Sequence, residues 1–322
     1  MTPYLSIVMC GNNARHTGDF VLRLQKCLDS IFHGAWKFQL DAELIFVEWD
    51  PPANRASLAK TIDWSRVSIP TRLITVPPSL VTTIPNPRNV RFFEPWAKNV
   101  GIRRADGQFI LVINADTVYP DEIMEFLSRK ELDPACFYRV NRHDVTYDHV
   151  ERVPYEAKIP FRNRQTGVVE EVTRVMFKET HVVGGQLSYI QRANGGFLPR
   201  EKWEGESRNG IPYSPDMLHF NAAGEFVLMT RDKWMEIQGW PETDYWGSVD
   251  GQVVWLAHTH GLKQVVLPYP VYHTDHPRIQ GSDKSHPPWH DSKPWADKNT
   301  KADWGFSTRE FSTIQFPVRL KR

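Results

Sequence analysis

The triplet Asn114-Ala115-Asp116 stands directly after the apolar run Phe109-Ile110-Leu111-Val112-Ile113. Alternate residues leaving a strand point the same way, so the Asn amide and the Asp carboxylate can face one cation. A divalent metal held there by oxygen ligands would bridge a diphosphate and neutralise a leaving nucleotide. An amide oxygen is neutral and the weaker ligand, so Asp116 is expected to carry most of the affinity and Asn114 less. Asn and Asp are also common at strand-end turns, and the triplet by itself fits that reading too. A second concentration of candidate groups is Tyr272-His273-Thr274-Asp275-His276. Imidazole is a borderline ligand that suits Mn²⁺ better than Mg²⁺, and two His with one Asp so close together favour a site, with His273 first. His286 and His290 stand four apart, but Pro287-Pro288 between them exclude a helical zinc pair.

These residues need strands and helices to position them. Leu5 to Met9 is an apolar run ending in Gly11-Asn12-Asn13, a buried strand followed by a loop. Phe20, Leu24, Cys27, Leu28 and Ile31 recur on one face of a helix. Leu44 to Val47 and Leu73 to Val76 read as further strands, stopped by Asp50-Pro51-Pro52 and Pro77-Pro78. Pro95 opens a helix carrying Trp96 to Ala105, and Pro120 opens one holding Ile123, Met124 and Leu127. Cys136 to Val140 looks like a fifth strand. This alternation predicts an α/β fold, a mostly parallel sheet with helices on both faces. Ligands of such sheets sit beyond the carboxyl ends of the strands, so the loops after Met9, Val47 and Ile113 are expected to line one crevice.

Past residue 140 the pattern weakens. The expected organisation is an α/β half over 1–140, an insertion or lid over 141–220, a second half of the same domain over 221–276, and an irregular tail over 277–322. Within the second half, Glu225 to Thr230 reads as a strand, Arg231-Asp232 starts a helix, Ser248 to His260 forms another closed by Gly261, and Val265 to Leu267 is a last strand.

Composition narrows the class. The 322 residues carry 39 Lys plus Arg against 38 Asp plus Glu, a net charge of +1, which offers no field for a nucleic-acid backbone or an anionic membrane. Hydrophobic residues at 41% and charged residues at 24% describe an ordinary folded chain. No run approaches the ~20 apolar residues of a transmembrane segment, and the first ten residues lack the marks of a signal peptide. Cys10, Cys27 and Cys136 are scattered, which argues against a disulfide framework or a Cys-based zinc site and fits a cytoplasmic setting. Core filling explains some of the 12 Trp, and an exposed share would suit stacking on sugar rings.

Ala97-Lys98-Asn99-Val100-Gly101-Ile102, then Ala105-Asp106-Gly107, the strand Phe109 to Ile113 and Asn114-Ala115-Asp116 together resemble the family 2 type of GT-A glycosyltransferase. The segment Asn221 to Leu256, with Gly239-Trp240-Pro241 and Tyr245-Trp246-Gly247, is also similar to the acceptor-side segment of galactosyltransferase-type members. The resemblance covers most of residues 4–140 and again 221–276. It implies a GT-A-like fold and a metal-assisted transfer, with Mn²⁺ or Mg²⁺, from a nucleotide-sugar donor (a UDP-sugar first) to a glycan or small-molecule hydroxyl. Asn114 departs from the family's Asp-x-Asp. By the same resemblance Glu48 contacts the base or ribose, Lys98 touches the nucleotide, Asn12 and Asn13 lie in the uracil-side loop, and Gly224 lets the donor sugar approach. His273 is the further metal ligand. Asp250 is implied as the general base of an inverting reaction, with Asp244 and Glu242 as substitutes; a helix-start acid complementing the dipole is the plainer alternative. Trp240, Trp246 and Trp289 are candidate acceptor platforms or core residues. Two other classes compete. Sugar-1-phosphate nucleotidyltransferases need a Gly-rich basic loop after the first strand, which Met9 to Arg15 lacks; a non-catalytic binding protein is disfavoured by the joint presence of Asp116, Asp250 and His273.

Overall fold

Leu5–Gly11 (β1) has every side chain buried, the mark of a strand covered on both faces at the centre of a sheet. The computed structural model describes residues 2–14, 20–86, 92–140, 142–145, 223–242, 249–267, 269–274 and 302–320, with short strand segments between 158 and 212. Parallel to β1 run Ala42–Trp49 (β2), paired from Leu5↔Ala42 to Gly11↔Glu48, and on its other side Phe109–Val112 (β4). Thr71–Val76 (β3) continues beyond β2. The sheet is completed by Cys136–Arg139 (β6), Val227–Thr230 (β8), Lys263–Val266 (β9) and Ser312–Phe316 (β11). Its eight strands lie in the order β9-β6-β8-β4-β1-β2-β3-β11, with only β8 and β11 reversed.

The sheet separates two apolar layers. Ile7, Met9, Leu44, Phe46 and Leu73 face the helices Phe20–Lys37 (α1) and Asp121–Ser128 (α3). Val8, Cys10, Ile45, Val47 and Ile74 face Glu94–Arg103 (α2), Arg231–Glu236 (α4) and Val249–Thr259 (α5). α1 buries Leu24, Cys27, Leu28 and Ile31 of the stripe read from the sequence, with Phe20 only partly buried and Ala35 added to it. Gly101 lets α2 press onto the sheet, since a Cβ there would stand 2.5 Å from Val8 Cγ1. The chain passes from β3 back to β4 on the opposite side of β1, so a switch point opens at the carboxyl ends of β1 and β4.

A second sheet sits at that end. Thr117–Val118 (β5) pairs antiparallel with Val271–Thr274 (β10), which pairs parallel with Arg142–Val145 (β7). Between 158 and 212 the structure gives antiparallel strand pairs, the longest being Lys158–Arg162 with Val169–Thr173. In the tail, β11 extends the main sheet along β3 from Ser312↔Thr75 to Phe316↔Thr71. All three cysteines are buried free thiols. Among the described residues, no helix is long and apolar enough to cross a membrane.

Candidate functional site

The chain leaves β4 with Ile113 N bonded to Val8 O at 2.9 Å, passes Asn114 to Asp116, and enters β5. Because β10 pairs with β5, His273 lies opposite Thr117, and Thr274 N donates to Asp116 O at 3.0 Å. That ladder brings His273 Nε2 to 3.5 Å from Asp116 Oδ2, and both side chains are largely shielded from water. A separation of 157 positions in the chain is thus closed by one short pair of strands.

Lys98, on α2, reaches the same end of the sheet and is 1% exposed. Its Nζ donates to Glu94 Oε1 at 2.6 Å, Asn114 Oδ1 at 2.8 Å and Gly224 O at 3.2 Å, which uses the three N–H donors of an ammonium. The Nζ also stands 4.6 Å from the centre of the Trp240 ring. Burial disfavours this charge, but the carboxylates of Glu94 and Asp250 outweigh it and hold the lysine above its ordinary pKa.

Gly224 joins the two halves of the cluster. A Cβ placed on it would lie 2.9 Å from Asn114 Nδ2 and 2.9 Å from Asp250 Oδ2, so only a residue without a side chain lets these groups converge. Asp250 sits in the first turn of α5, where the helix dipole favours an acid. Burial pushes its carboxyl up to about 7; Lys98 opposes the rise, and the neighbouring Glu94 and Glu225 carboxylates add to it.

A layer of charge lies beneath that sequence reasoning missed. Glu225 is buried and pairs with Arg142 of β7. Burial would raise its pKa, but Arg142 and His273 bring it below the ordinary glutamate value. Arg139, fully buried at the end of β6, donates to the carbonyls of Phe226 and Ala223. Neither arginine has a local signal: each is placed by strand pairing with a distant segment.

The other side of the crevice differs. Asn12 Nδ2 donates to Trp49 O at 2.9 Å and Asp50 O at 3.3 Å, and Asn13 Nδ2 donates to Ala56 O at 2.9 Å. Both amides therefore tie the loop after β1 to the loop after β2. Glu48 does not stand at the crevice surface, where its place at a strand end suggested; it is 0% exposed. One carboxylate oxygen accepts from Leu58 N at 2.6 Å, at the start of the helical turn Leu58–Thr61, and the other has no hydrogen-bond partner among the described residues. Burial raises its pKa, with the Leu58 N–H opposing.

Trp240 is fully buried and stacks on Trp234 with ring centres 5.5 Å apart, a core position. Glu242 Oε1 is engaged by Asn99 Nδ2 and Gly305 N, at 3.0 and 2.7 Å. Asp244, Asn221, Trp246, Asp275, His276, His286, Trp289 and His290 lie outside the described residues.

No protein-family model matches the chain, and no curated protein matches it. Among solved structures it is similar to mannosyltransferase PcManGT from Pyrobaculum calidifontis in complex with GDP-Man and Mn²⁺, at 12% identity and a TM-score of 0.46, covering 88% of this chain and 59% of that one. It is also similar to S. aureus TarS 1-349, at 12% identity and a TM-score of 0.46, covering 84% of this chain and 60% of that one. TarS 1-349 in complex with UDP gives 14% identity and a TM-score of 0.42 over the same shares, 84% and 60%. The chain thus spans about three fifths of the length of these solved chains.

Proposed function

We propose that the chain is a GT-A-type glycosyltransferase that moves a sugar from a nucleotide diphosphate donor, a UDP-sugar first, to a hydroxyl acceptor with inversion. The observation that carries this reading is the meeting of Asn114, Asp116, His273, Lys98, Gly224 and Asp250 beyond the carboxyl end of β4, at the switch point of the sheet. Asp116 and His273 would hold a divalent metal, which when bound supplies positive charge against the diphosphate. The donor set suits Mn²⁺: a carboxylate oxygen and an imidazole nitrogen 3.5 Å apart can share one ion and leave positions for phosphate and water oxygens. No group of three or more His, Cys, Asp or Glu converges on a cation position among the described residues. Asn114, whose Oδ1 already accepts from the Lys98 ammonium, serves in this reading to orient the cluster more than to ligate.

In the reaction, Asp250 accepts the proton of the acceptor hydroxyl as that oxygen attacks the anomeric carbon. The bond from that carbon to the phosphate oxygen breaks, and the nucleoside diphosphate leaves with the bonding pair. A carboxyl raised to about 7 is matched to taking a proton at neutral pH. The testing experiment is a screen of nucleotide-sugars, measuring nucleotide release with Mn²⁺ and with chelator. Release from a UDP-sugar that depends on Mn²⁺ supports the reading; no release from any donor in either condition ends it.

A further inference from the structure

The residues that follow α4 are fastened by a node of side-chain and backbone hydrogen bonds. Asn99 Nδ2 donates to Trp240 O at 2.8 Å while its Oδ1 accepts from Trp240 N at 2.7 Å, so one amide holds both backbone groups of a single residue. The same Nδ2 donates to Glu242 Oε1 at 3.0 Å, and that oxygen also accepts from Gly305 N at 2.7 Å. Gly305 has a φ of +62°, and a Cβ on it would stand 2.5 Å from Asn99 O, so the approach of the C-terminal segment to α2 requires glycine.

That segment is anchored independently of the loop. Arg104 donates to the carbonyls of Gly305, Phe306 and Arg309 at 2.9, 2.8 and 2.7 Å. The Arg103 guanidinium lies 4.6 Å from the centre of the Trp304 ring, which is 1% exposed. Glu242 therefore ties the residues that follow α4 onto a platform made by α2 and residues 304–309. Trp240, pinned at the same node, carries the Lys98 ammonium on its ring face.

We infer that Glu242 is a positioning residue for the transfer: by accepting from both Asn99 and Gly305 it locks the amide that holds Trp240 against the Lys98 ammonium, whose partner Gly224 abuts Asp250, and it makes residues 304–309 part of the catalytic geometry. This inference rests on the glycosyltransferase reading. The test compares wild type, Glu242→Ala and Glu242→Gln by steady-state transfer, by nucleotide affinity and by amide exchange at residues 239, 240 and 242 and at 249–253. Glu242→Ala is expected to lower kcat on the order of 10²-fold, the scale of a small misplacement. Its nucleotide Kd should stay within about twofold, since a lost positioning contact acts on turnover rather than on donor binding. Its amides at the node should exchange faster. Glu242→Gln keeps the carbonyl acceptor and should return kcat to within about threefold of wild type and restore slow exchange. Unchanged kcat in the Ala variant would overturn the inference. So would equal losses in Ala and Gln, which would make the carboxylate charge itself the active feature. If the Ala variant does not fold, Gly305→Ala opens the node from the other side, and unchanged kcat there overturns the inference in the same way. A wild-type protein that transfers no sugar would remove the glycosyltransferase reading, while slow exchange in Gln and fast exchange in Ala would still separate a hydrogen-bonded node from none.

Discussion

The two walls of the crevice are built on opposite plans. On the β1–β2 side, Asn12, Asn13 and Glu48 spend most of their hydrogen bonds on backbone groups of neighbouring loops, with Arg55 also donating to Asn13 Oδ1. On the β4–α5 side, Lys98, Glu94, Asn114, Asp116, His273 and Asp250 face one another as side chains, drawn from segments far apart in the chain. Backbone-directed groups hold a shape, and a substitution there is felt as local stability. Mutually directed charges set each other's protonation and field, and a substitution there is felt as chemistry. On the proposed reading, the first wall shapes the crevice and the second carries the reaction.

Asp250→Asn should test this division most severely. Turnover is expected to fall by about 10²–10⁴, the usual cost of losing a general base, with nucleotide affinity intact. Near-normal turnover in the Asn variant would move the base elsewhere. The same variant carries a stability signature. Asp250 has a folded pKa raised to about 7, so the folded state holds the proton more tightly than the unfolded chain does. Wild type should therefore lose stability as pH rises from about 4, the unfolded carboxyl value, through 7, and Asp250→Asn should lack that loss. Superimposable stability profiles of the two proteins over this range would contradict the burial of the carboxyl.

Lys98→Met comes next. It leaves Glu94 and Asp250 without their shared cation and should cost roughly 3–5 kcal/mol of unfolding free energy, the scale for breaking a buried ion pair. A loss below about 1 kcal/mol in denaturant titration, the worth of an exposed pair, would show that the cluster is wetter than its geometry. Asp116→Ala sharpens the comparison from the metal side. Calorimetry should find UDP binding tighter in Mn²⁺ than in chelator for wild type, by about tenfold or more, and equal for the variant. Equal affinities in wild type would remove the metal from the second wall. The smallest effect is expected at Glu48. Its buried carboxyl has a raised pKa, so its charge costs stability as pH climbs above about 4.3. Glu48→Gln should flatten that decline while changing nucleotide affinity less than Asp116→Ala does. A strong loss of affinity with an unaltered pH profile would transfer Glu48 to the reacting wall.

The difference between the walls also tracks what could be read from the chain alone. Apolar runs such as Leu5–Met9 and Phe109–Ile113 are local signals, and β1 and β4 lie where those runs lie. The helix closed by Gly261 is legible for the same reason, and Gly261 has the positive φ that such a closure asks for. β11 was missed: Ser312–Phe316 is mostly exposed, its apolar alternation is only Ile314 and Phe316 before Pro317, and it becomes a strand by pairing with β3. Within the site, the triplet at 114–116 announces itself by spacing, but its contact with His273 exists through the β5–β10 ladder, a non-local event. Glu48 shows the reverse failure. Its position at a strand end pointed to the crevice, while the loop over residues 50–58 folds back and covers it, which no periodicity encodes.

The pairing of β11 with β3 has a consequence for synthesis. The partner of Thr71–Val76 emerges from the ribosome about 240 residues after it. At ~5–20 residues per second, β3 waits roughly 10–50 s as an open sheet edge before its cover exists. During that interval its ladder groups are available to any other extended chain, and Asn99 and Glu242 lack the Gly305 N–H that completes their node. A nascent chain stalled before residue 300 should therefore be more sensitive to protease and to self-association than one extended past residue 316, and the arrival of β11, rather than collapse of the core, is the step that covers the β3 edge.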